Sequence, residues 1–244
     1  MIGAAAARLE ILPGPDALAR RVAEWLLAHA LATPGIFAVA LSGGSTPRLL
    51  YEHLAGPRYR DEFPWPRTHW FWGDERFVPP DDAQSNYRMV REALLSRAPI
   101  PEANIHPIPT VGMSAEDAAS AYERQLQSFY GSPRLDPARP LFDVVLLGLG
   151  PDGHTASLFP GTAALAERER WAVAVADAKG ETRITLTYPA LESCRNAAFL
   201  VAGKEKRAIL ERFRRGDDNL PAARLRLLGA LWLFSDAQAA GTWP

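Results

Sequence analysis

Short apolar runs alternate with amphipathic stretches along this chain, and that alternation restricts its fold more than any other feature. The runs are RLEIL (8–12), IFAVAL (36–41), HWFW (69–72), FDVVLL (142–147), WAVAVA (171–176), RITLT (183–187), AAFLVA (197–202) and ALWLF (230–234). Most are too short for helices, and several are rich in β-branched or aromatic residues, so they are read as strands. Between them, Leu18, Val22, Trp25 and Leu26 share one helical face. Met89, Leu94 and Leu95 belong to a second helix, Ala118, Ala121, Tyr122 and Leu126 to a third, and Ile209, Leu210 and Phe213 to a fourth. Strands alternating with helices predict an α/β fold, a doubly wound, mostly parallel sheet with helices on both faces. No internal repeat is visible, and the Pro-rich segment YGSPRLDPARPLFD is too short for a domain linker. Residues 1–244 are therefore expected to form a single domain.

Composition narrows the partners. A chain of 244 residues, 48% hydrophobic and 23% charged, suits a soluble globular protein with a sizeable core. A net charge of −1 gives no reason to expect nucleic acid or an anionic membrane as a partner. The lone cysteine, Cys194, excludes an internal disulfide and lends secretion no support. The opening MIGAAAARLEIL lacks the pattern of a signal peptide, and no apolar run reaches the roughly 18 residues of a membrane span. The expected location is the cytoplasm.

Sheets of this kind bind ligands at the carboxyl ends of their strands, so the residues after each strand are where chemistry is sought. After IFAVAL come Ser42, Gly43, Gly44, Ser45 and Thr46, with Pro47 suited to the first turn of a helix. This reads as a phosphate cradle at a helix start or as a tight turn with a hydroxyl cap; no Gly-Lys-Ser/Thr closes it as a Walker loop. After HWFW come Asp74, Glu75 and Arg76. Arg76 can grip a phosphate through two parallel hydrogen bonds and Asp74 can position a hydroxyl or water; a solvated salt bridge is the alternative. Ser85 and Asn86 follow; they can touch a ligand, but capping the next helix is the favoured reading.

The run FDVVLL leads into LGLGPDGHTASLFPG, where Gly148, Gly150 and Gly153 have the G-x-G-x-x-G spacing of a dinucleotide turn. Pro160-Gly161 interrupts too soon for the helix such a turn requires, which argues against a nicotinamide cofactor. What remains is an imidazole, His154, in a glycine-lined strand end with Asp152 two residues before it. It can accept a proton near neutral pH, or it is a hydrogen-bonded structural histidine. Finally, Gly203-Lys204 follows AAFLVA. Lys204 offers a point charge for a phosphate or lies on the surface, whereas Lys206 and Arg207 are read as solvated. The histidines show no H-x-H or H-x-x-x-H pairing and no C-x-x-C exists, so no metal is expected. No G-x-S-x-G elbow marks a nucleophilic serine, and Cys194 reads as a small core residue.

Taken together, LSGGSTP, WFWGDERFVP with SNY, LGLGPDGHTASLFPG, FLVAGKEK and the C-terminal LPAARLRLLGALWLFSDAQAA resemble the 6-phosphogluconolactonase family over nearly the whole chain. The resemblance implies a Rossmann-like fold shared with sugar-phosphate deaminases, and hydrolysis of 6-phospho-D-glucono-1,5-lactone in the oxidative pentose phosphate pathway. It implies no cofactor and no metal; a monomer is expected. His154 is then the expected general base, Asp152 its partner and Asp74 an orienting group. Arg76, Lys204 and Gly43–Thr46 are expected to hold the phosphate. The related deaminases carry a glutamate five residues after the histidine; here that position is Phe159, which cannot relay a proton. A sugar-phosphate sensor is a further alternative, but only one strand and one helix fit before LSGGSTP, leaving no room there for a helix-turn-helix.

Overall fold

The computed structural model describes residues 6–178 and 180–241. Among the described residues ten strands are formed: β1 (Arg8–Leu12), β2 (Phe37–Leu41), β3 (Thr68–Trp72), β4 (Asp74–Arg76), β5 (Ile105–His106), β6 (Phe142–Leu147), β7 (Ala172–Ala178), β8 (Glu181–Leu186), β9 (Cys194–Val201) and β10 (Ala230–Asp236). The α-helices are α1 (Pro15–Ala32), α2 (Ser45–Leu54), α3 (Pro57–Glu62), α4 (Asn86–Val90), α5 (Ala115–Tyr130), α6 (Tyr188–Glu192), α7 (Arg207–Arg214) and α8 (Ala237–Ala240).

Seven strands make one sheet in the order β1-β10-β9-β6-β2-β3-β5, every pair parallel. Its central strands read as continuous apolar runs because both faces are covered; every residue of β2 is buried. The chain runs from β2 to one side and from β6 to the other. The switch in direction therefore falls between these two neighbours, where the loops that follow them diverge and open a crevice.

The runs read as strands at 171–176 and 183–187 do not join this sheet. They are β7 and β8, which pair antiparallel with each other, and β8 pairs antiparallel with β4, in a separate three-stranded sheet of order β4-β8-β7. Gly73 carries the chain from one sheet to the other: its N–H donates to Leu41 O (2.8 Å) and its carbonyl accepts from Leu186 N (2.8 Å). Two strands, β4 and β5, have no counterpart among the apolar runs. They have three and two residues, too few for a periodic signal.

Where β2 and β3 end, buried tyrosines replace the missing neighbour strand. Tyr51 of α2 donates its hydroxyl to Ser42 O (2.8 Å) and accepts from Ser42 N (3.0 Å). Tyr122 of α5 makes the same pair of bonds with Trp72 (2.9 and 2.9 Å). Burial raises both phenol pKa values, so neither hydroxyl loses its proton at ordinary pH. These clamps satisfy backbone groups that would otherwise be buried unpaired, and they fix the two strand ends from which the site is built.

Candidate active site

The crevice between the ends of β2 and β6 is a cleft of about 270 Å³. Gly43, Gly44, Ser45 and Thr46 form one wall, His154 and the glycine turn before it another, and Asp74, Arg76 and Arg183 a third. Gly44 precedes α2, so the free N–H groups of that helix's first turn face the cleft wall, the arrangement that attracts anions.

The turn after β6 does not lead into an α-helix. It folds back on itself: Gly150 N donates to His154 O (2.8 Å) and Gly153 N to Gly150 O (3.0 Å). The imidazole lies against Gly150, where a Cβ would come within 2.0 Å of His154 Nδ1. The glycine spacing therefore makes room for a side chain of the protein itself. His154 N donates to Asp152 Oδ1 (3.2 Å), and the same carboxylate oxygen is hydrogen-bonded to His154 Nδ1. On its other side the ring packs on Phe159, centroid to centroid 4.3 Å. Sequence could not establish whether Asp152 and His154 meet; in the fold they do, because a tight turn brings residues two apart onto one side.

The acidic-basic triplet of β4 divides its duties by the alternation of a strand. Asp74 and Arg76 face the cleft, and Glu75 faces away. Asp74 is buried, accepts from Ser157 Oγ (2.6 Å) and lies 4.0 Å from Arg183. Glu75 is a structural clamp: its carboxylate accepts from the backbone N–H of Arg76 (2.8 Å), Asn86 (2.7 Å) and Tyr87 (2.7 Å) and from Ser85 Oγ (3.1 Å). Burial pushes its pKa above the usual carboxylate range, against the opposing effect of those backbone donors.

Arg183 is the cleft residue that the sequence reading missed. It sits on β8 directly opposite Arg76 in the antiparallel register, and its side chain is 12% exposed. Its guanidinium contacts Glu181 Oε2 (2.8 Å) and lies over the Phe159 ring. Among the described residues, Arg76 Nε and Arg183 Nε are buried donors without a hydrogen-bond partner. Like charges opposite one another on a sheet repel, so two arginines placed this way favour a bound anion between or beside them. In the sequence its one signal is an arginine at the head of the apolar run RITLT.

The lysine assignment needs correction. Lys204 is exposed and does not line the cleft; Lys206 does, and its Nζ donates to Leu149 O (2.7 Å). The segment Lys204–Lys206 is a 3-10 turn. In that geometry each residue advances by about a third of a turn, so a side chain two positions on points to a different side. Ser85 caps α4 as expected, accepting from Arg88 N (3.1 Å), whereas the Asn86 side chain serves the cleft. Among the described residues, no group of three or more His, Cys, Asp or Glu is placed to hold a metal ion, and no helix is long and apolar enough to cross a membrane.

Known proteins resemble this chain in sequence and fold. The family described as glucosamine-6-phosphate isomerases/6-phosphogluconolactonase matches residues 13–232. A 6-phosphogluconolactonase of Nostoc sp. is 42% identical over 238 residues, 95% of this chain and 96% of that protein. One of Synechocystis sp. is 44% identical over 217 residues, 87% of each. The solved structure of 6-phosphogluconolactonase from Thermotoga maritima superposes with a TM-score of 0.78 at 33% identity, covering 94% of this chain and 98% of that one.

Proposed function

This chain belongs to the family of glucosamine-6-phosphate isomerases and 6-phosphogluconolactonases, and from that premise we propose that it hydrolyses 6-phospho-D-glucono-1,5-lactone to 6-phospho-D-gluconate. The observation that carries this reading is the pairing, across one cleft, of an Asp152–His154 dyad with a cationic wall of Arg76, Arg183 and Lys206. A phosphosugar lactone has an anion at one end and an activated ester at the other.

The lactone ester needs no covalent nucleophile. His154 takes a proton from water as the water oxygen bonds to C1, and the bond from C1 to the ring oxygen then breaks as the imidazolium returns the proton to that oxygen. With Nδ1 committed to Asp152, the transfer falls to Nε2. The Asp152 carboxylate fixes the ring and stabilises the imidazolium. Asp74, held by Ser157, orients a sugar hydroxyl. The first turn of α2 with Ser45 and Thr46, together with Arg76, holds the phosphate and so sets the distance from phosphate to C1. Phe159 stands against the imidazole where a deaminase-type mechanism needs a carboxylate, which supports hydrolysis over ring opening and deamination. The reaction uses no metal or cofactor. On the same reading the protein is expected to act as a monomer in the cytoplasm.

The direct test is to generate the lactone enzymatically and follow its loss with and without the protein, subtracting spontaneous hydrolysis. Accelerated formation of 6-phosphogluconate is expected; loss at the spontaneous rate rejects the assignment.

A further inference from the structure

Asn86 is 3% exposed and begins α4, yet its side chain plays no part in capping that helix, a task Ser85 performs. Its carboxamide turns inward instead. Nδ2 donates to Asp74 O (2.9 Å), and Oδ1 accepts from Arg76 Nη1 (2.6 Å). The orientation of the amide is fixed by chemistry, since a guanidinium only donates and a carbonyl only accepts. The same Oδ1 occupies the space where a Cβ on Gly43 would stand, 2.0 Å away. One buried side chain therefore touches three parts of the cleft: the glycine turn after β2, the backbone of Asp74 and the guanidinium of Arg76.

We propose that Asn86 is a positioning residue for anion binding, wedged against the Gly43 turn and holding the Arg76 guanidinium in a preformed place. The proposal deepens the phosphosugar reading of the cleft and rests on it. Its own backbone is fixed in turn, because Asn86 N donates to the Glu75 clamp. Arg76 Nη1 has a second restraint at Gln84 O (3.0 Å), so the guanidinium is held from both sides before any ligand arrives. A long arginine side chain that is free loses rotamer entropy when it grips an anion, and one already held does not. Asn86 thereby acts through Arg76, without a contact of its own to the reacting carbon.

The test is a double-mutant cycle read by ligand binding as well as by turnover. Inorganic phosphate and 6-phosphogluconate are titrated calorimetrically into the unmodified chain, Arg76→Ala, Asn86→Ala and the double variant. Asn86→Ala is expected to weaken phosphate binding about 10-fold and to raise KM similarly, with kcat within about threefold. In the Arg76→Ala background the same substitution is expected to cost less than about twofold, since its route of action is gone. Equal losses in both backgrounds, a fall in kcat with phosphate affinity intact, or no phosphate or phosphogluconate binding by the unmodified chain each overturns the proposal. If Asn86→Ala does not fold, Asn86→Ser takes its place, since the shorter side chain cannot reach Arg76 Nη1 and leaves the backbone N–H of residue 86 on the Glu75 clamp. Its loss of phosphate affinity must also vanish in the Arg76→Ala background. The calorimetric arm needs no turnover. A chain that binds phosphate with this coupling but leaves the lactone untouched would refute the hydrolase reading alone.

Discussion

The two sheets meet at the cleft and bring opposite things to it. The seven-stranded sheet is wholly parallel, and its contributions come from where strands stop: a glycine turn opening α2 after β2, and the folded-back turn that holds His154 after β6. The three-stranded sheet is antiparallel, and its contributions come from within strands. Alternation puts Asp74 and Arg76 on one face of β4, and register sets Arg183 against Arg76. Strand ends present backbone N–H groups and tight turns, which suit an anion cradle and a precisely seated base. Strand interiors present side chains in fixed rows, which suit a cluster of charges. The difference predicts that changes at the folded-back turn after β6, which seats the base, strike kcat, whereas changes to the arginines along the small sheet strike KM.

The largest effect is expected at His154. His154→Gln removes the titrating base while keeping a polar side chain, and kcat should fall roughly 10²–10⁴-fold. Near-normal kcat in a folded variant, after subtraction of spontaneous hydrolysis, would return His154 to a structural role. Next comes a contrast within the glycine turn. A Cβ at Gly150 meets His154 Nδ1 at 2.0 Å, whereas one at Gly148 meets only Ser42 Oγ at 3.8 Å. Gly150→Ala should displace the imidazole and lower kcat on the order of 10²-fold, and Gly148→Ala should stay within a few fold. Similar rates for the two variants would show that the close approach does not seat the base.

On the small sheet, Arg183→Ala should raise KM about 10- to 100-fold, the range for losing a charge-assisted contact, with a smaller change in kcat. A collapse of kcat at unchanged KM would break the proposed division of labour between the sheets. The mildest prediction lies at the far edge of the large sheet. His106 on β5 stacks on Phe71 and is hydrogen-bonded to His69 (2.9 Å). Burial, with the neighbouring His69 ring adding to it, pulls its pKa down from 6.5 to about 4. The folded state thus favours the neutral ring. Its stabilising contribution is complete above pH 6.5 and is lost as the pH falls toward 4. Partial exposure and solvent screening keep the effect on the order of 1 kcal/mol between neutral pH and pH 4.5. Urea melts of the unmodified chain and His106→Phe should show a smaller acid loss in the variant, at unchanged KM and kcat. Parallel pH dependences would remove His106 as the source.

The local pattern by itself fixed the parallel sheet and most of its cleft. Strands such as FAVAL and, apart from Asp143, FDVVLL are apolar because both faces are covered, so their ends could be located and the polar residues after them named. Gly43–Thr46, Asp74, Arg76, Asp152 and His154 were legible for that reason. The remaining features depend on neighbours distant in the chain. Arg183 enters the cleft only because β8 pairs with β4, more than a hundred residues earlier, and no local pattern records a register. Lys206 replaces Lys204 because the chain leaves Gly203 in a 3-10 turn, whose side-chain directions differ from those of an α-helix while the sequence suits either. Asn86 looked like a cap, since capping is a local bond; its grip on Arg76 and its packing against Gly43 exist only once the end of β2, strand β4 and the start of α4 converge. Periodicity encodes which residues are buried and where a strand stops, because burial repeats along the chain. Which side chains then meet across the cleft is decided by tertiary pairing, which acts between segments that share no local signal.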